Sequence, residues 1–551
     1  MLRFRFLTLA LGAAMFGAVI FGACGFSTAA RAQSIRIASP NGINLFSESE
    51  RPALQLNADG AAPAFVNYSI REVEGGFSRA GVLMWRPGEN RLPLDVPHRG
   101  LYDLTLRPQN GTELQTRFGI VFEPPAVSQN SRWGMFSIRF DNAARDREMA
   151  RGHRLVGASW SRFNLWADAW QNIEISQGET PTVSFDLNPG YLSAARALTR
   201  EGLHLMGEFS MMPRALSSKP DDVGSTIEGA PGWSRVRPKN YKLWNQLVEQ
   251  TVRALPQVEV WEVWNEPDAR NFWIDTPQAF AEFCRQTAGA IKRANPRARV
   301  AVAGVTSNGG AFLETLLQNG VDETTDIWSF HAPPAPMRAI LKKHDVSPRK
   351  PLWETETHAL LDFDVIGGYD RTFHFLYRAF VPAYETFPAL VDRDGLPTSA
   401  ALTYATAVHV LGESKLEKHV AQNTMELGVF RKGKEAVAAW KTNGSGLLSG
   451  LATFKIAPLA NRALELLDGF GRARKIPAKN ADGTLTFAIQ GASFLSGAAS
   501  LDLVRFQAPE NLRGSRNGFS TRPKARRKAG KFCSRAKAST RKTSRAMRRC
   551  F

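Results

Sequence analysis

The sequence predicts an α/β fold, a (β/α)8 TIM barrel flanked by an N-terminal and a C-terminal β-sandwich domain. Three observations carry this expectation. From about Arg132 to Gly412 apolar β-rich runs alternate with helical stretches, the pattern of βα units around a parallel sheet. On both sides of that region the pattern changes to short strands separated by Gly, Pro and Asn. Two of the central runs end in carboxylates, Glu266 and Glu356, ninety residues apart. At roughly 30 residues per βα unit this is three units, which places the pair on the fourth and seventh strands of one barrel.

The composition is globular, with 43% hydrophobic and 22% charged residues over 551 positions, enough for several domains. The formal charge of +19 is unevenly placed. Residues 511–551 hold 15 Lys and Arg and no Asp or Glu, while Arg3, Arg5 and Arg31 belong to the N-terminal segment. The remainder is nearly neutral, so no nucleic-acid partner is expected for the folded body.

Residues 1–32 read as an export signal. Arg3 and Arg5 precede the uncharged run Phe6 to Phe26, and Ala30-Arg31-Ala32 stands before Gln33. Cleavage after Ala32 and a periplasmic or extracellular location are expected. The run is also long enough to span a bilayer, which leaves an uncleaved anchor as the alternative. Residues 33–125 form the first sandwich, with strands at Ser34 to Ala38, Phe65 to Val73 and Tyr102 to Arg107, and Pro124-Pro125 closes it.

The barrel occupies residues 126–415. Its expected strands are Gly134 to Phe140, Gly157 to Phe163, His204 to Ser210, Val258 to Trp264, Arg299 to Val305, Ile327 to Phe330 and Pro351 to Thr355, with an eighth within Phe375 to Val391. The helices between and after them are expected at Arg145 to His153, Leu192 to Arg200, Asn240 to Ala254, Pro277 to Ala294, Phe312 to Gln318 and Ser399 to Leu411. Residues 416–508 return to strand and turn, a second sandwich. Residues 509–551 cannot bury enough apolar surface to fold. This tail either contacts anionic surfaces, is a solvated appendage, or reflects an error in the reading frame.

The chemistry concentrates in two strands. Val258-Glu259-Val260-Trp261-Glu262-Val263 runs into Trp264-Asn265-Glu266-Pro267, and Pro351-Leu352-Trp353-Glu354 runs into Thr355-Glu356. Carboxylates at the C-terminal ends of barrel strands share one mouth, and glycoside hydrolysis needs such a pair. By strict alternation Glu354 and Glu356 point the same way, so direction alone does not separate them. The sequence contains no metal-ligand cluster, Gly-rich phosphate loop or Gly-x-Ser-x-Gly elbow, so neither metal nor cofactor is expected. Cys284 reads as a buried apolar side chain.

These motifs resemble clan A retaining glycoside hydrolases, most of all glycoside hydrolase family 39. The resemblance covers about residues 132–505. It rests on Trp160-Ser161-Arg162-Phe163, on Trp170 with Ile173-Glu174 and Gly178, on Trp264-Asn265-Glu266-Pro267-Asp268, on Trp328-Ser329-Phe330-His331 and on Pro351-Leu352-Trp353-Glu354-Thr355-Glu356. It implies that Glu266 is the acid/base, protonated in the resting enzyme at neutral pH, and that Glu356 is the nucleophile. Asn265 is implied to bind the sugar 2-hydroxyl.

Arg162 and His331 are further candidates for the substrate site. Trp166 and Trp273 are candidates for stacking on pyranose rings, with core packing as the alternative. Relatives carry His-x-Tyr at the end of the sixth strand, with the Tyr bonded to the nucleophile, where this chain has His331-Ala332-Pro333. His358, Tyr369 or Tyr377 stands in for that Tyr, or the nucleophile is held less firmly. The implied function is an exported retaining hydrolase of a polysaccharide or oligosaccharide, endo-acting on a bacterial-type exopolysaccharide. The alternative is a non-catalytic carbohydrate-binding or envelope-scaffold protein on the same fold.

Overall fold

A computed structural model of the chain describes residues 34–507, apart from 40–41, 60–61, 89, 138–141, 225–229, 359, 380–385, 423–424 and 443–449. The expected export signal and basic tail lie outside the described residues.

Eight parallel strands close into a barrel in sequence order, namely Trp133–Ser137, Trp160–Leu165, His204–Phe209, Val258–Val263, Arg299–Thr306, Ile327–His331, Leu352–Thr357 and Arg371–His374. The first strand pairs with both the second and the eighth. Helices Ala143–Leu155, Pro189–Arg200, Tyr241–Ala254, Pro277–Ala294, Gly310–Gln318 and Ser399–Leu411 follow the expected pattern. Asn142, Asn188, Asn240 and Thr276 cap the first four through side-chain bonds to backbone N–H groups, so each helix starts where its sequence supplies an acceptor.

The eighth strand precedes the window expected for it. It is the four-residue run Arg371 to His374, too short and too polar at both ends for periodicity to reveal. Helices Pro334–Lys343 and Phe363–Gly368 and the hairpin of Trp170–Ile175 with Val183–Leu187 also lie outside the expected elements.

The barrel interior is layered. Trp160, Met206, Val260, Ala301, Ile327, Trp353 and Phe373 form one apolar cluster, one side chain from each of strands two to eight. Because strand side chains alternate, the residue two positions later points inward again, one layer nearer the C-terminal mouth. Those residues are Arg162, Glu208, Glu262, Ser329 and Thr355, all fully buried. An apolar plug thus lies under a polar layer.

The N-terminal domain is a sandwich of a three-stranded and a five-stranded sheet around one core. Ile35, Leu54 and Leu92 come from one sheet, and Ile70, Tyr102, Leu104 and Phe118 from the other. The C-terminal domain departs from the expected pair of sheets. It is a single eight-stranded sheet organised by the 15-residue strand Ser493–Gln507. The first part of that strand pairs with Glu435–Thr442 and Glu465–Asp468, and the rest with Gly450–Pro458. The change of partner falls at Gly497, whose φ of 85° and approach to Ala463 O exclude a Cβ. Residues from both halves share one core that includes Trp440, Phe454, Phe487 and Leu495.

Candidate active site

Arg162 organises the polar layer. Its Nε donates to Glu262 Oε2 at 2.6 Å, its Nη1 to Glu356 Oε2 at 3.2 Å and its Nη2 to Asn265 Oδ1 at 2.9 Å. Nη2 also lies 2.5 Å from Glu208 Oε2. The guanidinium sits over the ring of Phe136. Three carboxylates around one buried cation leave negative charge in excess. Burial, reinforced by Glu262 and Glu356, outweighs the attraction of Arg162 and raises Glu208 above the usual carboxylate range.

From Glu262 a chain of bonds leads to Glu266. Thr355 Oγ1 donates to Glu262 Oε1 at 2.9 Å and lies 3.0 Å from His331 Nε2, while His331 Nδ1 lies 2.9 Å from Glu266 Oε1. A hydroxyl has one proton, and Thr355 gives it to Glu262, so His331 Nε2 must be the donor on its side. Burial would push this imidazole down, but the bond to Glu266 and the charges of Glu356 and Glu266 outweigh it, and His331 is raised to about 9. His331 therefore carries a proton at neutral pH and presents it to Glu266.

The backbone around Glu266 is under tension. Trp264 and Glu266 have φ values of 73° and 40°, left-handed conformations that non-glycine residues seldom adopt and that need support from packing. The support is visible. The Trp264 indole is fully buried and donates to Phe272 O at 2.9 Å, Ala269 N bonds to Glu266 O, and Asp268 accepts from Thr306 N. Gly304, at φ 61°, leaves the space these groups need, since a Cβ there would lie 3.1 Å from His331 Nε2 and 3.5 Å from Glu266 N.

Glu356 and Glu354 separate cleanly. The pairing of strands seven and eight slips between Glu354 and Thr357, and strict alternation fails there. Consecutive residues Thr355 and Glu356 consequently both meet the interior network, through Glu262 and Arg162. Glu354 turns to the neighbouring loop, where Ala332 N donates to its Oε2 at 3.2 Å. Burial raises Glu354 to about 8, so it is neutral at pH 7. For Glu356 burial acts in the same upward sense, but the bond from His358 and the charges of His331 and Arg162 prevail and lower it to about 2. Of these two carboxyls, only Glu356 is held as an anion.

His358 Nε2 lies 3.3 Å from Glu356 Oε1, with its ring against Phe375 and Phe387. Of His358, Tyr369 and Tyr377, it is the one that meets Glu356. Tyr369 donates instead to Ala332 O, and Tyr377 packs edge-on against His153. Glu266, His331, Glu354, Glu356, His358 and Asp362 line one cleft of about 340 Å³ at the C-terminal mouth.

Of the residues singled out in the sequence, Glu266, Glu356, Asn265, Arg162 and His331 come together here. Trp273 does not. It is 2% exposed, packed against Trp264, Phe280 and Phe283, and belongs to the core because the chain after Glu266 folds back over that aromatic cluster. Trp166 is half-buried beside the Ala167–Ala169 turn and does not line the cleft. Cys284 is fully buried. Glu208, Glu262 and Thr355 were not singled out, although each lies at the inward phase of its strand, a signal that alternation offers once strand and register are known.

The fold and the cleft define a (β/α)8 barrel protein with paired carboxylates on strands four and seven. Comparison with known proteins gives this class a family likeness. Residues 196–338 match the model of glycosyl hydrolases family 39, a span that includes Glu208, Glu262, Asn265, Glu266 and His331 and stops before Glu356. The chain is 34% identical over 102 residues to a β-xylosidase of Caldicellulosiruptor saccharolyticus, covering 17% of this chain and 20% of the relative. It is 32% identical over 106 residues to one of Geobacillus stearothermophilus, covering 17% and 19%. The match thus spans about a fifth of the length of these curated relatives. A family 39 glycoside hydrolase from the gut symbiont Bacteroides cellulosilyticus WH2 shares the fold, with a TM-score of 0.63 and 16% identity over 84% of this chain and 99% of that one.

Proposed function

We propose that the protein is a retaining glycoside hydrolase in which Glu356 is the nucleophile and Glu266 the acid/base. One observation carries this reading. Two carboxylates at the ends of strands four and seven line one cleft in different settings, Glu356 as an anion held by Arg162 and His358, and Glu266 paired with His331, which carries a proton it can pass on. The double displacement needs that difference.

In the first step the proton passes from His331 Nδ1 to Glu266 Oε1 and on to the glycosidic oxygen. Glu356 forms a bond to the anomeric carbon as the bond to the leaving oxygen breaks. In the second step Glu266 takes a proton from water, the water oxygen bonds to the same carbon, and Glu356 departs as a carboxylate. Arg162 stays bonded to Glu356 and to Asn265, which fixes the amide that would meet the sugar 2-hydroxyl.

The substrate class is a polysaccharide or oligosaccharide met outside the cytoplasm, supported by the N-terminal segment, and endo action on an exopolysaccharide is the finer reading. The matched β-xylosidases make aryl xylosides the first small substrates to try. The test is sugar release by the protein across aryl glycosides and plant and bacterial polysaccharides, with Glu266→Gln and Glu356→Gln as controls. Release that both changes abolish supports the reading. Ligand binding without release, equal in all three proteins, would replace it with a carbohydrate-binding role.

A further inference from the structure

The opposite end of the barrel holds a second cavity, of about 710 Å³, with a different chemistry. It is built where strands begin. Trp160, Arg299, Trp353 and Arg371 stand at the N-terminal ends of strands two, five, seven and eight, and Arg132 immediately precedes strand one. Five cations line it, the fourth and fifth being Arg338 and Lys415, against the two carboxylates Asp370 and Glu413. Among the described residues none of the five forms an ion pair. Asp370 Oδ2 instead accepts from Leu352 N.

Arg371 is buried and Arg132 and Arg299 are half-buried, and among the described residues none of the three has a carboxylate in bonding range. Arg371 is 6% exposed, lies over the rings of Trp160 and Trp353 at 3.9 and 4.2 Å, and donates only to the carbonyls of Ser131 and Gln129. Arg299 lies 5.7 Å from the Trp353 ring and has no hydrogen-bond acceptor among the described residues. Arg132 bonds to Ile366 O through Nη1, while its buried Nε has no partner. Burial lowers all three guanidinium groups from their ordinary value, Arg371 to about 9, where the charge of Arg299 adds to it. Buried cations ordinarily carry carboxylate partners, as Arg162 does at the other mouth. Here Asp370 and Glu413 act only from a distance and no carboxylate bonds to these arginines, the donors are fixed by aromatic planes and backbone carbonyls, and planar guanidinium forks match oxyanions. The volume exceeds that of a bare ion and falls in the range of small-molecule sites.

We propose that this cavity is a binding site for a phosphate or sulfate group borne on a sugar-sized molecule, with Arg299 and Arg132 as the principal donors. The site is separate from the catalytic cleft, and the proposal stands whether or not the proposed hydrolysis does. Calorimetric titration of the full chain with inorganic phosphate, inorganic sulfate and a sulfated disaccharide tests it, alongside Arg299→Gln, Arg132→Gln and Glu356→Gln. We expect saturable binding weakened by about tenfold or more in each arginine variant, since a hydrogen bond to a charged group contributes roughly 1.5 to 3 kcal/mol. Binding should be unchanged in Glu356→Gln. Tighter binding of the disaccharide than of the free ions would identify a carried group, and equal binding a free oxyanion. Arg299 makes no hydrogen bond that its loss would break, so Arg299→Gln tests the site without threatening the fold. No saturable binding, or binding equal in the parent and both arginine variants as contact with the basic tail would give, overturns the proposal.

Discussion

The two mouths of the barrel hold buried or half-buried arginines in opposite electrostatic settings. At the C-terminal mouth Arg162 meets three carboxylates, Glu208, Glu262 and Glu356. At the N-terminal mouth Arg132, Arg299 and Arg371 meet carbonyls and indole rings. In the first setting burial raises Glu208 and Glu354, while the bond from His358 and the charges of His331 and Arg162 leave Glu356 ionised. In the second, an excess of cations over carboxylates with none of them ion-paired among the described residues leaves donors available. The comparison teaches that the balance of partners, and not burial alone, decides whether a buried arginine serves to fix neighbouring proton states or to receive a ligand.

The largest expected effect separates the mouths outright. Glu356→Gln should lower sugar release on the order of 10⁴-fold or more, as loss of a covalent nucleophile does, while leaving oxyanion binding intact. Parallel loss of both would mean that the two ends are not independent. Next, Arg162→Leu should destabilise the protein by about 3 to 5 kcal/mol, because three buried carboxylates lose their only shared cation. Arg299→Gln, which removes a cation without a carboxylate partner, should leave chemical denaturation nearly unchanged, and an equal loss in the two variants would erase the contrast.

A smaller effect is expected for Glu266→Ala, about 10²- to 10³-fold in turnover and least for substrates with activated leaving groups. The basic limb of its pH profile should disappear, and a variant that keeps the parent's basic limb would disqualify Glu266 as the acid/base. Stability should also depend on pH through the same pair. His331 is raised from 6.5 to about 9, so its contribution is full below about pH 6.5 and is lost as the pH rises through 9. Melting temperature should fall over that window, and His331→Gln should flatten the fall. The smallest effect is His358→Ala, which removes one of the groups that lower Glu356. The acid limb of activity should move upward with a change of only a few fold at neutral pH.

Much of this was legible in the chain because it is local. Asn265-Glu266-Pro267 ends a run of alternating apolar residues, and seven of the barrel strands are long enough for their pattern to stand out. The eighth strand was not legible. Its four residues hold their place through Arg371 stacked on Trp160 and Trp353, contacts that span 211 and 18 positions of sequence. Trp273 and Trp264 are alike as letters, and their burial in one aromatic cluster depends on how the chain returns after Glu266.

The sequence by itself determined the barrel, its order of strands and the candidate carboxylates, since periodicity and motif spacing are properties of neighbouring residues. The resemblance already pointed to Glu356 over Glu354, but only the tertiary structure separated the directions of the two side chains, through a register slip that one strand cannot display. It alone brought Arg162, Glu208, Glu262 and Thr355 into one layer and set His331 against Glu266, which helps to raise it. Those outcomes depend on which side chains face each other across a closed sheet, and closure joins residues nearly two hundred positions apart, such as Arg162 and Glu356.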